Sequence, residues 1–216
     1  MLITTNKTME NDLNDLKDLK DLKDFKNSNL IFLVGLMGCG KTTIGQLLAE
    51  KLHYEFVDTD DLIVQNYQQD INTIFHEKGE KFFRNLETTT LQNVINNTKN
   101  TKNIKNIKNI KNIKNNGKKY VISTGGGIVL KDENRQLLKQ FGYNIYLQTD
   151  TNILVQRLMT DTQRPLLKNK ENLAENLQNL YNQRNKFYLE VANLVIQTNN
   201  KNIDEIILNI CRQKPL

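Results

Sequence analysis

The chain is 216 residues long, a length that makes one domain or two small ones and is enough to bury a core. Its formal charge is +6 and its pI near 9.1, which at face value suggests a polyanionic partner. Two cysteines (Cys39, Cys211) and two histidines (His53, His76) exclude a disulfide framework and a Cys/His metal cluster. The longest apolar run, Leu30 to Cys39, is about half of the ~20 residues a membrane span needs. No basic stretch followed by an apolar segment opens the chain, so no secretory leader is expected and a cytoplasmic protein is.

The charge has a definite location. Eight lysines and no acid lie between Lys99 and Lys119, and +6 less eight leaves −2 for the remainder. This stretch contains an Asn-Ile-Lys repeat (103–115), and Asp12 to Lys26 repeats Asp-Leu-Lys. A period of three drifts around a 3.6-residue helix, so neither tract builds a fixed apolar face. Residues 1–27 are therefore expected to be a low-complexity extension and 96–116 a solvated insertion. The alternative for the second tract is a basic tether for nucleic acid or membrane.

Outside the repeats, the elements follow in regular alternation. Leu30–Val34 is apolar at every position, as a strand buried on both faces must be. A helix is expected over Thr42–Leu52, with Ile44, Leu47, Leu48 and Leu52 at helical spacing. Glu55–Asp58 reads as a second strand; short helices follow at 61–67 and 73–78, then a longer one at 80–96. Strands are expected at Tyr120–Ser123, Asn144–Leu147 and Leu194–Ile196, with helices at 134–141, 152–159, 170–189 and 203–212. This alternation predicts a three-layer α/β fold around a parallel sheet.

Gly35-Leu36-Met37-Gly38-Cys39-Gly40-Lys41-Thr42 fits Gly-x-x-x-x-Gly-Lys-[Ser/Thr], the phosphate loop, between a buried strand and a helix. Its glycines turn backbone N–H groups toward a polyphosphate, and the helix adds the positive end of its dipole. Lys41 would reach the β/γ-phosphates, and Thr42 would ligate Mg²⁺. Gly38, Cys39, Gly40 and Thr43 complete the nucleotide contacts expected there. An Asn-Lys-x-Asp base-reading motif is missing from the sequence, which argues against a GTPase. The third strand ends in Gly125-Gly126-Gly127 where a motor ATPase would carry an acid. Asp58-Thr59-Asp60 then offers the metal-side acid, and a small-molecule kinase fits better than a motor.

With these motifs in hand, the sequence resembles the shikimate kinases. Phe56-Val57-Asp58-Thr59-Asp60 is similar to the family's Asp-x-Asp, and Gly79-Glu80-Lys81-Phe82-Phe83-Arg84-Asn85-Leu86-Glu87 to its Gly-Glu-x-x-Phe-Arg-x-x-Glu block. Ser123 to Gly127 resembles its glycine triplet, Arg164-Pro165-Leu166-Leu167 its lid motif, and Arg184 with Tyr188 its late Arg-x-x-x-Tyr. The resemblance implies a P-loop fold over 28–216, with a five-stranded parallel sheet, a mobile lid and substrate-binding helices. It implies transfer of the γ-phosphoryl of ATP, with Mg²⁺, to the 3-hydroxyl of shikimate. Partners would be ATP and shikimate, with neither nucleic acid nor membrane, and the chain would be a monomer.

The resemblance also assigns roles. Arg84 and Arg184 would clamp the substrate carboxylate, since a guanidinium fork matches it bidentately; Glu87, three residues after Arg84, would hold that arginine. Asp60 would accept the substrate hydroxyls and act as base or orienting group; Asp58 would stand near Mg²⁺ through water. An extended step from 58 to 60 would point both carboxylates into one cleft, although Asp60 or Asp61 is also a candidate helix cap. Gly126 and Gly127 would offer N–H groups to the substrate. Arg164 would close over the phosphates, and Arg157 would stack on adenine. Lys41, Asp60 and Arg164 thus form the expected catalytic set. Two rival readings are a gluconate kinase of the same fold and a silent phosphate-loop module that binds nucleic acid through its lysine tract.

Overall fold

Strand β1 (Leu30–Val34) buries all five of its side chains. A strand that is apolar throughout must sit in mid-sheet with both faces covered. It pairs in parallel with β3 (Tyr120–Ser123) on one side and β4 (Tyr143–Gln148) on the other. Two more exposed strands, β2 (Glu55–Asp58) and β5 (Leu194–Gln197), form the edges, giving the all-parallel order β2-β3-β1-β4-β5. The structure, a computed structural model, describes residues 28–98, 117–159 and 172–212. Both repeat tracts and the expected lid with Arg164 lie outside these residues.

Seven helices flank the sheet among the described residues: α1 (Lys41–Leu52), α2 (Thr59–Tyr67), α3 (Ile71–Thr98), α4 (Asp132–Phe141), α5 (Thr151–Met159), α6 (Leu173–Val191) and α7 (Ile203–Arg212). This is the expected three-layer fold, with boundaries that differ for physical reasons. Helix α2 starts two residues early because Asp58 is its N-cap, its Oδ1 accepting from Asp60 N at 2.9 Å. Neither Asp60 nor Asp61 therefore caps the helix. The helices expected at 73–78 and 80–96 run together as α3, but Gly79 breaks the helical dihedrals at φ 79° and ψ 168°. Any side chain would strain that backbone, which is why a glycine marks the joint. Helix α3 continues to Thr98 because Ile95 and Thr98 are buried, so residues 96–98 are helical although the sequence placed them in the insertion. A 3₁₀ turn at Ile128–Leu130, unforeseen, is held by Asn134 Nδ2 and Arg135 Nη1, which donate to Ile128 O and Val129 O.

The topology positions the site. The strands β2, β3 and β1 are neighbours, with Asp58, Ser123 and Leu33 in register. The segments leaving their carboxyl ends (Thr59-Asp60, Gly125–Gly127 and the phosphate loop) therefore emerge side by side. Ligands of open α/β sheets bind at this end, where strand order reverses. Apart from the main core, Ile63, Ile74 and Phe83 form a small second cluster between α2 and α3, edged by Ile71, Phe75, Phe82 and Leu86.

Candidate active site

The phosphate loop is shaped by its glycines. Gly38 and Gly40 take φ of 79° and 97°, and the first helical bond runs from Ile44 N to Gly40 O at 2.9 Å. No side chain caps α1, so its first N–H groups remain available to an anion. Lys41, only 8% exposed, folds back so that Nζ donates to Gly35 O and Leu36 O, both at 2.9 Å. Arg157 Nη1 donates to Gly38 O at 3.3 Å, placing it against the loop itself. The loop opens into a cleft of about 250 Å³, also lined by Thr42, Thr43, Asp58, Asp60, Ser123, Thr124, Gly126 and Arg157.

Asp58 joins the two halves of that cleft. Its Oδ2 accepts from Thr42 Oγ1 at 2.9 Å while Oδ1 caps α2. Among the described residues there is no cluster of three or more His, Cys, Asp or Glu side chains fit to cage a metal. A hydroxyl beside a single carboxylate suits Mg²⁺, which keeps several waters and takes substrate phosphates as ligands. Asp60 lines the same cleft, but not through the extended step expected: it sits in the first turn of α2.

The remaining candidates converge on the glycine triplet. A Cβ on Gly125 would stand 2.7 Å from both Asp60 Oδ1 and Glu87 Oε1, and one on Gly127 would stand 2.0 Å from Arg84 Nη1. Arg184 Nη1 reaches Gly126 O at 3.1 Å, and Gly126 itself lies against Met37 N and Gly35 O of the phosphate loop. Asp60, Arg84, Arg184, Gly126 and Gly127, dispersed over more than a hundred residues of sequence, thus surround one spot next to the nucleotide loop. Arg164 lies outside the described residues.

Charge in this spot is held by burial and pairing. Arg84 Nη1 donates to Glu87 Oε2 at 2.7 Å, and its Nε and Nη2 both reach Glu80 Oε1. Its guanidinium carbon lies 5.6 Å and 5.5 Å from the ring centroids of Phe75 and Phe83. Burial opposes the Arg84 charge, but Glu87 and Glu80 outweigh it and raise the pKa. Glu87 is only 1% exposed. Burial pushes its carboxyl above the ordinary range, and Arg84 and Arg184 offset this only in part.

Some contributors had no role assigned from the sequence. Glu80 and the rings of Phe75 and Phe83 grip Arg84, although a phenylalanine on a helix is more often core than a contact of a site residue. Thr59, fully buried, accepts from Gly125 N at 3.2 Å. The Tyr188 hydroxyl donates to Gly126 O. Both stood inside quoted motifs without a role: Thr59 between two site aspartates, and Tyr188 as the tyrosine of the Arg-x-x-x-Tyr pattern, one helical turn beyond Arg184.

A nucleotide loop that adjoins, at Asp60 and Gly126, a cluster suited to a small anionic acceptor defines a P-loop kinase of small molecules. The profile of the family described as shikimate kinase matches residues 37–102 and 105–214. The chain belongs to the shikimate kinase family. It is 39% identical over 172 residues to shikimate kinase 2 of Photorhabdus laumondii, covering 78% of this chain and 86% of that protein. Among solved structures, shikimate kinase from Acinetobacter baumannii in complex with shikimate is similar at a TM-score of 0.72 and 35% identity, covering 88% of this chain and 94% of the other. A gluconokinase from Sinorhizobium meliloti 1021, at 17% identity and a TM-score of 0.52 over 85% of this chain and 88% of its own, shares the fold alone.

Proposed function

We propose that the chain transfers the γ-phosphoryl group of ATP to the 3-hydroxyl of shikimate, giving shikimate 3-phosphate and ADP on the way to aromatic amino acids. The supporting observation is adjacency: in the glycine triplet Gly125 lies beside Asp60, Gly127 beside Arg84, and Gly126, which receives Arg184, also lies against the phosphate loop. The proposed acceptor and donor sites thus adjoin, with Asp60 and Gly126 lining the nucleotide cleft itself, and such closeness makes transfer effectively unimolecular.

Phosphoryl transfer asks the protein mainly for positioning and electrostatic stabilisation. Lys41 exchanges the carbonyls of Gly35 and Leu36 for phosphate oxygens when the nucleotide enters. Arg84 and Arg184 bind the shikimate carboxylate, and Asp60 orients the reacting hydroxyl and accepts its proton. Thr42 and Asp58 would hold Mg²⁺, which when bound neutralises charge on the β- and γ-phosphates. Arg164 is assigned to lid closure over the phosphates, and Arg157 to the nucleotide's base. The protein is read as a cytoplasmic monomer; among the described residues no helix is long and apolar enough to cross a membrane.

A coupled assay of ADP release with shikimate and, separately, gluconate tests this reading. Turnover with shikimate and little with gluconate is expected. Equal or better turnover with gluconate overturns the assignment.

A further inference from the structure

The glycine triplet is the one part of the proposed substrate site made of backbone alone, and glycines do not hold their own conformation. Two buried hydroxyls do so here. On one side, Thr59 Oγ1 accepts from Gly125 N at 3.2 Å. On the other, Tyr188 donates its hydroxyl to Gly126 O, the oxygen that also receives Arg184 Nη1. Thr59 and Tyr188 are both 0% exposed. The Tyr188 ring is further fixed by stacking on Tyr146, with centroids 5.0 Å apart.

This pinning determines where the loop's N–H groups point. Gly126 C=O and Gly127 N–H belong to one planar peptide, and no peptide bond here is cis, so the two groups point in opposite directions. Holding the oxygen toward α6 turns the Gly127 N–H away from α6. Among the described residues, neither the Gly126 nor the Gly127 N–H finds a backbone acceptor, so both remain to be used by a ligand. Tyr188 also relieves Arg184. One carbonyl oxygen has two lone pairs, and without the phenol the arginine alone would have to anchor Gly126. Burial, the main cause, raises the phenol's pKa far above its ordinary value, so it stays a donor at any working pH.

We infer that Thr59 and Tyr188 are positioning residues for the acceptor substrate: their hydroxyls lock the glycine triplet so that its N–H groups and Arg184 face shikimate. This rests on the proposed placement of shikimate beside Gly126. Tyr188→Phe and Thr59→Val each remove one hydroxyl and keep the shape. Each should raise the KM for shikimate about five- to tenfold, as expected for one lost hydrogen bond, and leave the KM for ATP within about twofold.

Thr59→Ser should restore the wild-type value. Tyr146→Phe should change neither constant, since its hydroxyl bonds Asn185 Oδ1 rather than the loop. Amide hydrogen exchange at 125–127 supplies a readout independent of substrate: it should accelerate in Y188F and T59V but not in Y146F. If Y188F fails to fold, T59V and T59S decide alone. Unchanged exchange, an unchanged shikimate KM, or a rise in both KM values together overturns the inference. If the wild-type protein leaves shikimate untouched while loop exchange still accelerates in the variants, the positioning role stands and the substrate reading falls.

Discussion

The main core and the small cluster between α2 and α3 do different work. The main core packs helices on both faces of a sheet whose central strand is wholly buried, and it carries the phosphate loop directly off β1. The small cluster has only Ile63, Ile74 and Phe83 fully inside, is interrupted by Gly79, and carries Arg84 and Glu87. The nucleotide loop thus rests on the part of the molecule with most buried apolar surface, and Arg84, one half of the proposed acceptor clamp, on a part with little. Arg184, the other half, stands on α6, which packs into the main core. Local stability follows buried contacts, so the Arg84 side of the proposed clamp belongs to the region that opens at lower free-energy cost. A kinase benefits from that division, since the acceptor must enter and leave each cycle.

The sharpest way to break the comparison is at the nucleotide side. Lys41→Ala should lower shikimate-dependent ADP release by about a thousandfold, with the thermal transition nearly unchanged; a modest loss would remove Lys41 from the phosphate site. In the main core, Phe32→Ala should cost about 3–5 kcal/mol, visible as a single earlier unfolding transition in urea. Arg84→Ala should raise the KM for shikimate about thirtyfold by deleting a charge-assisted contact, with the ATP constant little moved. If both constants rose equally, the two regions would be one unit.

Ile74→Val makes the same comparison more gently. It should cost about 1 kcal/mol, and weaken shikimate binding more than ATP binding in parallel titrations. The smallest effect concerns Glu87. Because burial raises its folded-state pKa, the native carboxyl keeps its proton to higher pH than the unfolded one. The stability from that proton is full below the ordinary value of 4.5 and is lost as pH rises through the folded value. The melting temperature of wild type relative to E87Q should therefore decline as pH is raised from about 4.5; a constant difference would show that Glu87 does not titrate abnormally.

Legibility followed distance along the chain. The phosphate loop was fully readable because strand, glycines, Lys41, Thr42 and helix are consecutive, and local backbone geometry fixes their relation. Asp58 was readable as a site residue but not as the cap of α2, because strand end and helix start compete for the same residues and the tie is settled by one hydrogen bond. The roles of Glu80, Phe75 and Phe83 at Arg84 were hidden because a phenylalanine at helical spacing looks the same whether it packs on a leucine or on a guanidinium.

The +6 charge illustrates the same division. Sequence alone traced the basic excess to one lysine-rich stretch, and showed which motifs stand in which order along a strand–helix alternation. Composition and local periodicity suffice for that, since they reflect interactions over a few residues. Only the tertiary structure ordered the strands β2-β3-β1-β4-β5, and with them brought Asp60, Arg84, Gly126 and Arg184 to one spot. Sheet order depends on long-range packing and crossover connections. No window of sequence contains it, and the proposed acceptor site exists only once that order is set.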